Sequence, residues 1–193
     1  MSNFNMAAAD KRAVRYDHFT IALHWLTAFL VLTLFVLAEA RGFVARGTPL
    51  RGGLIFVHIS LGVLLAAVLI LRIVWRVATH RRTAPAVSGL QHVVATLTHL
   101  ALYVLMISQV AYGFLMIWAS GNGPSFFGLF SVPPLITVDQ PTRHVISELH
   151  DYTAWAIIVV AGIHAAAALM HHYVLRDRVL VRMIPLRGEA LAD

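Results

Sequence analysis

The sequence predicts an all-α integral membrane protein, a bundle of four antiparallel transmembrane helices. Three observations predict it. Of 193 residues, 59% are hydrophobic and only 12% charged, with a mean hydropathy of +0.76; a soluble domain of this size needs more polar skin than that composition supplies. Four apolar runs, approximately residues 19–39, 53–76, 94–118 and 147–172, each reach the ~20 helical residues that cross about 30 Å of hydrocarbon. Short connections between most of them turn neighbouring helices antiparallel. Backbone groups in lipid must pair internally, and no run shows the alternation of a barrel strand, so the spans are helices.

The first run, Phe19–Glu39, follows a polar segment from Met1 to Asp17 without a cleavable signal pattern, and it is too long for a signal-peptide core. Arg41–Gly52 is a turn-rich connection with three glycines and a proline. The second run, Gly53–Arg76, leads into Val77–Gly89, which carries His80, Arg81, Arg82 and Pro85. The third, Val94–Trp118, is followed by the longest connection, Ala119–Ile146, with Gly121, Gly123, Pro124, Pro133, Pro134 and Pro141. The fourth is Ser147–His172. With no repeat, low-complexity linker or composition break, residues 1–193 read as one transmembrane domain.

Composition also narrows the chemistry. The absence of cysteine excludes disulfides, thiolate zinc sites, iron–sulfur clusters and covalent c-type haem attachment. The formal charge of +6 lies between the apolar runs, which points to membrane orientation and not to a nucleic-acid partner. Lys11, Arg12, Arg15, Arg72, Arg76, Arg81, Arg82, Arg176, Arg178, Arg182 and Arg187 fall on one side, against Arg41, Arg46, Arg51 and Arg143 on the other. The positive-inside rule then places both termini in the cytoplasm.

The eleven histidines carry the functional signal, because an ionisable side chain within a span is costly and faces the bundle interior with a partner. His150 and His164 stand 14 positions apart on the fourth helix, within roughly 40° of one face and roughly 21 Å apart along the axis. His24 enters the first helix at the depth of His164, and His58 enters the second at the depth of His150. Two facing imidazoles at each of two levels are what two b-type haems require as axial ligands. The residue four positions after each is small (Ala28, Gly62, Ala154 and Ala168), leaving clearance for a porphyrin and for close helix approach. An interhelical hydrogen bond explains any single buried histidine equally well, and a histidine-lined metal transporter is a further alternative.

Glu148-Leu-His150, followed by Gly162-Ile-His164-Ala-Ala-Ala-Ala168-Leu-Met-His171-His172-Tyr173, resembles the bacterial cytochrome b561 family of di-haem membrane cytochromes. Ile21-Ala-Leu-His24-Trp25, Ala40-Arg41-Gly42-Phe43 and His58-Ile-Ser-Leu-Gly62, with Arg72 and Arg76 beyond, are similar to the same family. The resemblance runs from about Tyr16 to Pro185 and is nearest to its superoxide-oxidase branch. It implies haem ligation by His24 with His164 on the cytoplasmic side and by His58 with His150 on the periplasmic side. The implied reaction oxidises superoxide outside and reduces ubiquinone, as substrate, near His171. His99 also fits the family pattern and reads either as part of the quinone pocket or as a packing histidine. Relatives of that branch carry lysines in the second connection, where this chain has Arg81 and Arg82.

His171, seven positions beyond His164, lies within roughly 20° of the same face and about 10 Å further along, in reach of a quinone that needs a hydrogen bond and a proton. Arg41, Arg46 and Arg51 crowd the first connection next to His58; they fit an anion-attracting patch, and Arg41 is expected to contact a haem propionate. The alternative function is a cytochrome b subunit that exchanges electrons between quinone and a protein redox partner.

Overall fold

A computed structural model describes residues 15–79 and 87–184. Lys11, Arg12, His80, Arg81, Arg82, Pro85 and Arg187 lie outside the described residues. The chain forms α1 (His18–Gly42), α2 (Pro49–Thr79), α3 (Gly89–Trp118), a small hairpin of β1 (Ser125–Phe126) and β2 (Phe130–Ser131), α4 (Gln140–Tyr173) and a final 3-10 turn, Leu180–Met183. All four helices are long and apolar enough to cross a membrane.

Each helix outruns its apolar run, because hydropathy marks only the part that meets lipid while backbone hydrogen bonding continues into water. α4 shows the largest difference. Asp139 caps it by accepting the Thr142 N–H at 3.1 Å, and Pro141 sits in its first turn, where a missing N–H does no harm. The helix therefore starts seven residues before the apolar stretch and carries Arg143 and His144 as helical residues.

The helices run antiparallel, as the cross-contacts show. His58 of α2 meets Leu34 of α1, and Arg72 meets His24. Leu23, Leu30 and Leu34 pack with Leu65 and Val68 to zip α1 onto α2, and α3 pairs as closely with α4. The two hairpins so formed touch each other sparingly. Leu69, Met106 and Ile157 close the bundle at mid-height, with Ile157 midway between His150 and His164 on α4. An apolar plug thus lies between the level of His58 and His150 and that of His24 and His164. Phe29, Leu32, Ile70, Leu97 and Ile163 are exposed on the outside, a surface matched to lipid and not to water.

Two clasps fix the ends. Asp17 accepts the Thr20 N–H at 2.9 Å and the Thr20 hydroxyl at 2.7 Å, capping α1, and also accepts the Trp75 indole N–H at 3.2 Å, which ties the start of α1 to the end of α2. At the opposite end the Arg51 guanidinium donates to the carbonyls of Arg41 and Val44 at 2.6 and 2.8 Å. It thereby satisfies carbonyls at the C-terminus of α1, where a cation is favoured. The β hairpin is pinned by fully buried Ser60, whose hydroxyl accepts the Phe127 N–H at 3.0 Å. Gly128, at φ 76°, completes its turn in a conformation open to glycine.

Candidate functional site

The four histidines on the two predicted levels come together in pairs. His58 and His150 face each other with ring centres 6.4 Å apart and planes at 70°. His24 and His164 repeat the arrangement at 6.4 Å and 72°. A metal–imidazole bond of about 2.0 Å, plus about 1.1 Å from nitrogen to ring centre, places two axial rings about 6.2 Å apart across one metal. Both pairs match that span. His99 approaches His164 more closely, at 5.3 Å, which is too short for a metal between them, so His99 packs edge-on against the ring that His24 faces.

The loop-end chamber is a cavity of about 650 Å³ lined by His58, Gly62, Gly113, His150, Ala154 and Arg41, within the size range of cofactor sites. Gly62 and Ala154, two of the small residues four positions after the ligand candidates, line it as expected. His58 Nδ1 lies 3.1 Å from the Leu34 carbonyl. A carbonyl only accepts, so Nδ1 carries the proton and Nε2 keeps the lone pair that a metal would take. Across the cavity, Gln109 lies 3.1 Å from His150 Nε2 through its amide nitrogen. Gln109 Oε1 and His150 Nδ1 are buried without a protein partner, a polar spot that the described residues alone leave unsatisfied. A Cβ on Gly113 would sit 3.3 Å from His150 Cε1, so α3 passes the imidazole closely and a methyl there would move the ring by a few tenths of an ångström.

At the other level, the Arg72 guanidinium stands 3.2 Å from His24 Nδ1. Arg72 and Arg76 both lie over the Tyr103 ring, at 5.3 and 5.8 Å. A cluster of cations beside buried imidazoles is suited to an anionic group. Further along α4 than His164, His171 is hydrogen-bonded through Nδ1 to the Asp177 carboxylate.

The arginines of the first connection divide. Arg41 lines the cavity together with Arg143 of α4. Arg51 caps α1 through backbone carbonyls, a scaffold role that its guanidinium has besides the positive charge it adds to the first connection. Arg143, Arg72, Gln109 and Gly113 were not singled out as site residues by sequence reasoning. Arg143 lies seven positions before His150 on one helix face, a spacing that identifies it once α4 is known to begin at Gln140.

A membrane bundle with paired imidazoles at two depths defines a class, the helical cytochromes that bind haem between spans. The chain belongs to the prokaryotic cytochrome b561 family, whose model matches residues 15–186. It is 31% identical over 187 residues to "Cytochrome b561 homolog 2" of Escherichia coli strain K12, covering 93% of this chain and 94% of that protein. To "Cytochrome b561 homolog 1" of the same strain it is 29% identical, covering 90% and 98%. To the "Probable superoxide oxidase CybB" of Yersinia pestis it is 29% identical, covering 89% and 96%. As a family member the chain is a b-type haem protein of transmembrane electron transfer.

Proposed function

We propose that this protein binds two haems b, one at each histidine pair, oxidises superoxide at the loop end of the bundle and reduces ubiquinone at the end that carries both termini. The observation that carries the reading is the repeated 6.4 Å separation of His58 from His150 and of His24 from His164. When bound, haem supplies reversible one-electron chemistry, with a potential set by its ligands, burial and nearby hydrogen bonds.

The chain's own residues do the rest. His58 and His150 would hold one haem at the loop end, and His24 and His164 the other at the terminal end. Arg72, whose guanidinium stands 3.2 Å from His24 Nδ1, would offer a haem carboxylate at this level a charge-assisted hydrogen bond. Arg41 and Arg143 line the loop-end cavity, where they neutralise propionates and draw an anion such as superoxide towards the histidine pair. The similarity to a protein named as a probable superoxide oxidase supports superoxide as the donor. His171, with His99 deeper in the same half of the bundle, is suited to hydrogen-bond a quinone. The excess of arginine and lysine at the terminal end supports an inner-membrane orientation with both termini in the cytoplasm.

Stopped-flow mixing of the purified holoprotein with superoxide tests this directly. Rapid haem reduction, followed by re-oxidation on adding a short-chain ubiquinone, is the expected result. Haem that superoxide leaves oxidised, but that a co-purifying dehydrogenase reduces, favours the subunit alternative.

A further inference from the structure

α4 does not simply end at Tyr173. The N–H groups of Val174 and Leu175 both donate to the Met170 carbonyl, at 2.9 and 3.1 Å, and Arg176 adopts φ 54°, a left-handed conformation that a residue with a long side chain seldom takes. The chain reverses there. The Asp177 N–H donates to the His171 carbonyl at 3.1 Å, and the Asp177 side chain returns to the ring of the same residue. Backbone and side chain of Asp177 thus hold one histidine from two directions. The carboxylate accepts the Val179 N–H at 3.0 Å through its other oxygen. The segment is anchored further by the Trp25 indole on the Met183 carbonyl at 2.7 Å and by Arg15 on the Val181 carbonyl at 3.0 Å.

We infer that Asp177 is a positioning residue, which fixes His171 with Nδ1–H directed at the carboxylate and Nε2 presented as the nitrogen that exchanges a proton with the quinone. The inference rests on the reading of His171 as the quinone-facing residue. Its physical basis is that a backward-folded carboxylate selects one imidazole tautomer and one ring orientation, as an aspartate does for the histidine of a catalytic triad. The Asp177 carboxyl stays below its ordinary value of 3.8: partial burial, which alone would raise it, is outweighed by the hydrogen bonds from Val179 and His171 and by Arg182 nearby. It is therefore an anion that only accepts. In one ubiquinone turnover, two superoxide ions each lose an electron and leave as dioxygen, and the quinone takes up the two electrons with two protons. At each protonation the Nε2–H bond of doubly protonated His171 breaks as an O–H bond forms on the quinone, leaving a neutral ring whose Nδ1–H still rests on Asp177. Water at the membrane surface returns the proton to Nε2.

Asp177→Asn tests this, because its amide oxygen still accepts from Val179 while its NH2, standing where the second oxygen was, can only donate to His171 Nδ1 and so favours the opposite, Nε2–H tautomer. Two readouts apply to the full-length holoprotein. Nitrogen NMR of labelled histidine is expected to show His171 protonated at Nδ1 in the wild type and shifted towards the Nε2–H tautomer in Asp177→Asn. With haem pre-reduced by dithionite and freed of excess, re-oxidation by a short-chain ubiquinone is expected to slow at least about tenfold at saturating quinone in Asp177→Asn, with little change in KM and partial recovery in Asp177→Glu. An unchanged tautomer and an unchanged saturating rate in Asp177→Asn, with slow re-oxidation in His171→Gln, overturn the role of Asp177 and leave the quinone reading standing. Re-oxidation of His171→Gln at the wild-type rate overturns the quinone reading and the inference with it.

Discussion

The Nδ1 of His58 lies 3.1 Å from the Leu34 carbonyl, and this one contact decides which nitrogen of His58 is left for a metal. Leu34 belongs to the zipper that packs α1 on α2, so the orientation of the imidazole is inherited from helix packing one helix away. Ligands whose second nitrogen is held by backbone keep their tautomer without help from solvent. The partner ring of His150 is oriented from the other hairpin, by Gln109 and Gly113 of α3. Each half of the bundle thus presents one preset imidazole, and the cavity lies between them.

Gly113→Val is expected to displace one haem and leave the other. The added methyls begin from a Cβ already 3.3 Å from His150 Cε1, so the ring must tilt out of line with His58. Gly113→Ala, which requires only a few tenths of an ångström from the ring, is expected to retain both haems and shift the midpoint potential of one. Haem content and a redox titration of both variants check this; two unperturbed haems in Gly113→Val contradict it.

Arg41→Gln and Arg143→Gln are each expected to slow haem reduction by superoxide at low ionic strength, by roughly tenfold, with the difference narrowing as salt rises. Arg46→Gln, on the exposed loop, is expected to change the rate less. Stopped-flow rates measured across a range of salt concentrations distinguish attraction of an anion from loss of fold, because misfolding carries no such salt dependence.

Asp17 predicts an acid-sensitive clasp. Partial burial would raise its carboxyl, but the hydrogen bonds from Thr20 and Trp75 outweigh it and hold the value below 3.8. A depressed carboxyl stabilises the fold above its unfolded value and loses that contribution as pH falls through the folded one. Asp17→Asn keeps a capping oxygen but has nothing to titrate. The stability gap between wild type and Asp17→Asn in detergent is therefore expected to be widest well above pH 3.8 and to close as the pH falls below it. Asp17→Ala, losing the cap as well, is expected to cost about 1 kcal/mol more. Thermal melts over that pH range provide the measurement.

What the sequence made legible follows from the regularity of helices. A fixed rise per residue turns positions 24, 58, 150 and 164 into depths, and antiparallel order pairs them; Gly62 and Ala154 lining the cavity follow from the same arithmetic. Gln109 and Gly113 were not legible, because their importance depends on how α3 rotates against α4, which spacing within α3 does not determine. The capping role of Arg51 was not legible either, because its bonds to the Arg41 and Val44 carbonyls depend on how the first connection folds back. Asp177 reaches His171 only through the left-handed turn at Arg176, where no glycine marks the reversal. The β hairpin owes its position to Ser60, and a serine in an apolar span carries no such label. Helix ends ran short for a uniform reason: water-facing turns at Pro49, Gly89 and Gln140 are helical without being hydrophobic.

The most direct test of the account is haem content per chain in the wild type and in the four single variants His24→Ala, His58→Ala, His150→Ala and His164→Ala, by pyridine haemochrome with low-temperature difference spectra. The account predicts two haems b in the wild type, loss of the same one in His58→Ala and His150→Ala, and loss of the other in His24→Ala and His164→Ala. A single haem in the wild type, or any one of these variants retaining both haems with unaltered spectra, contradicts it.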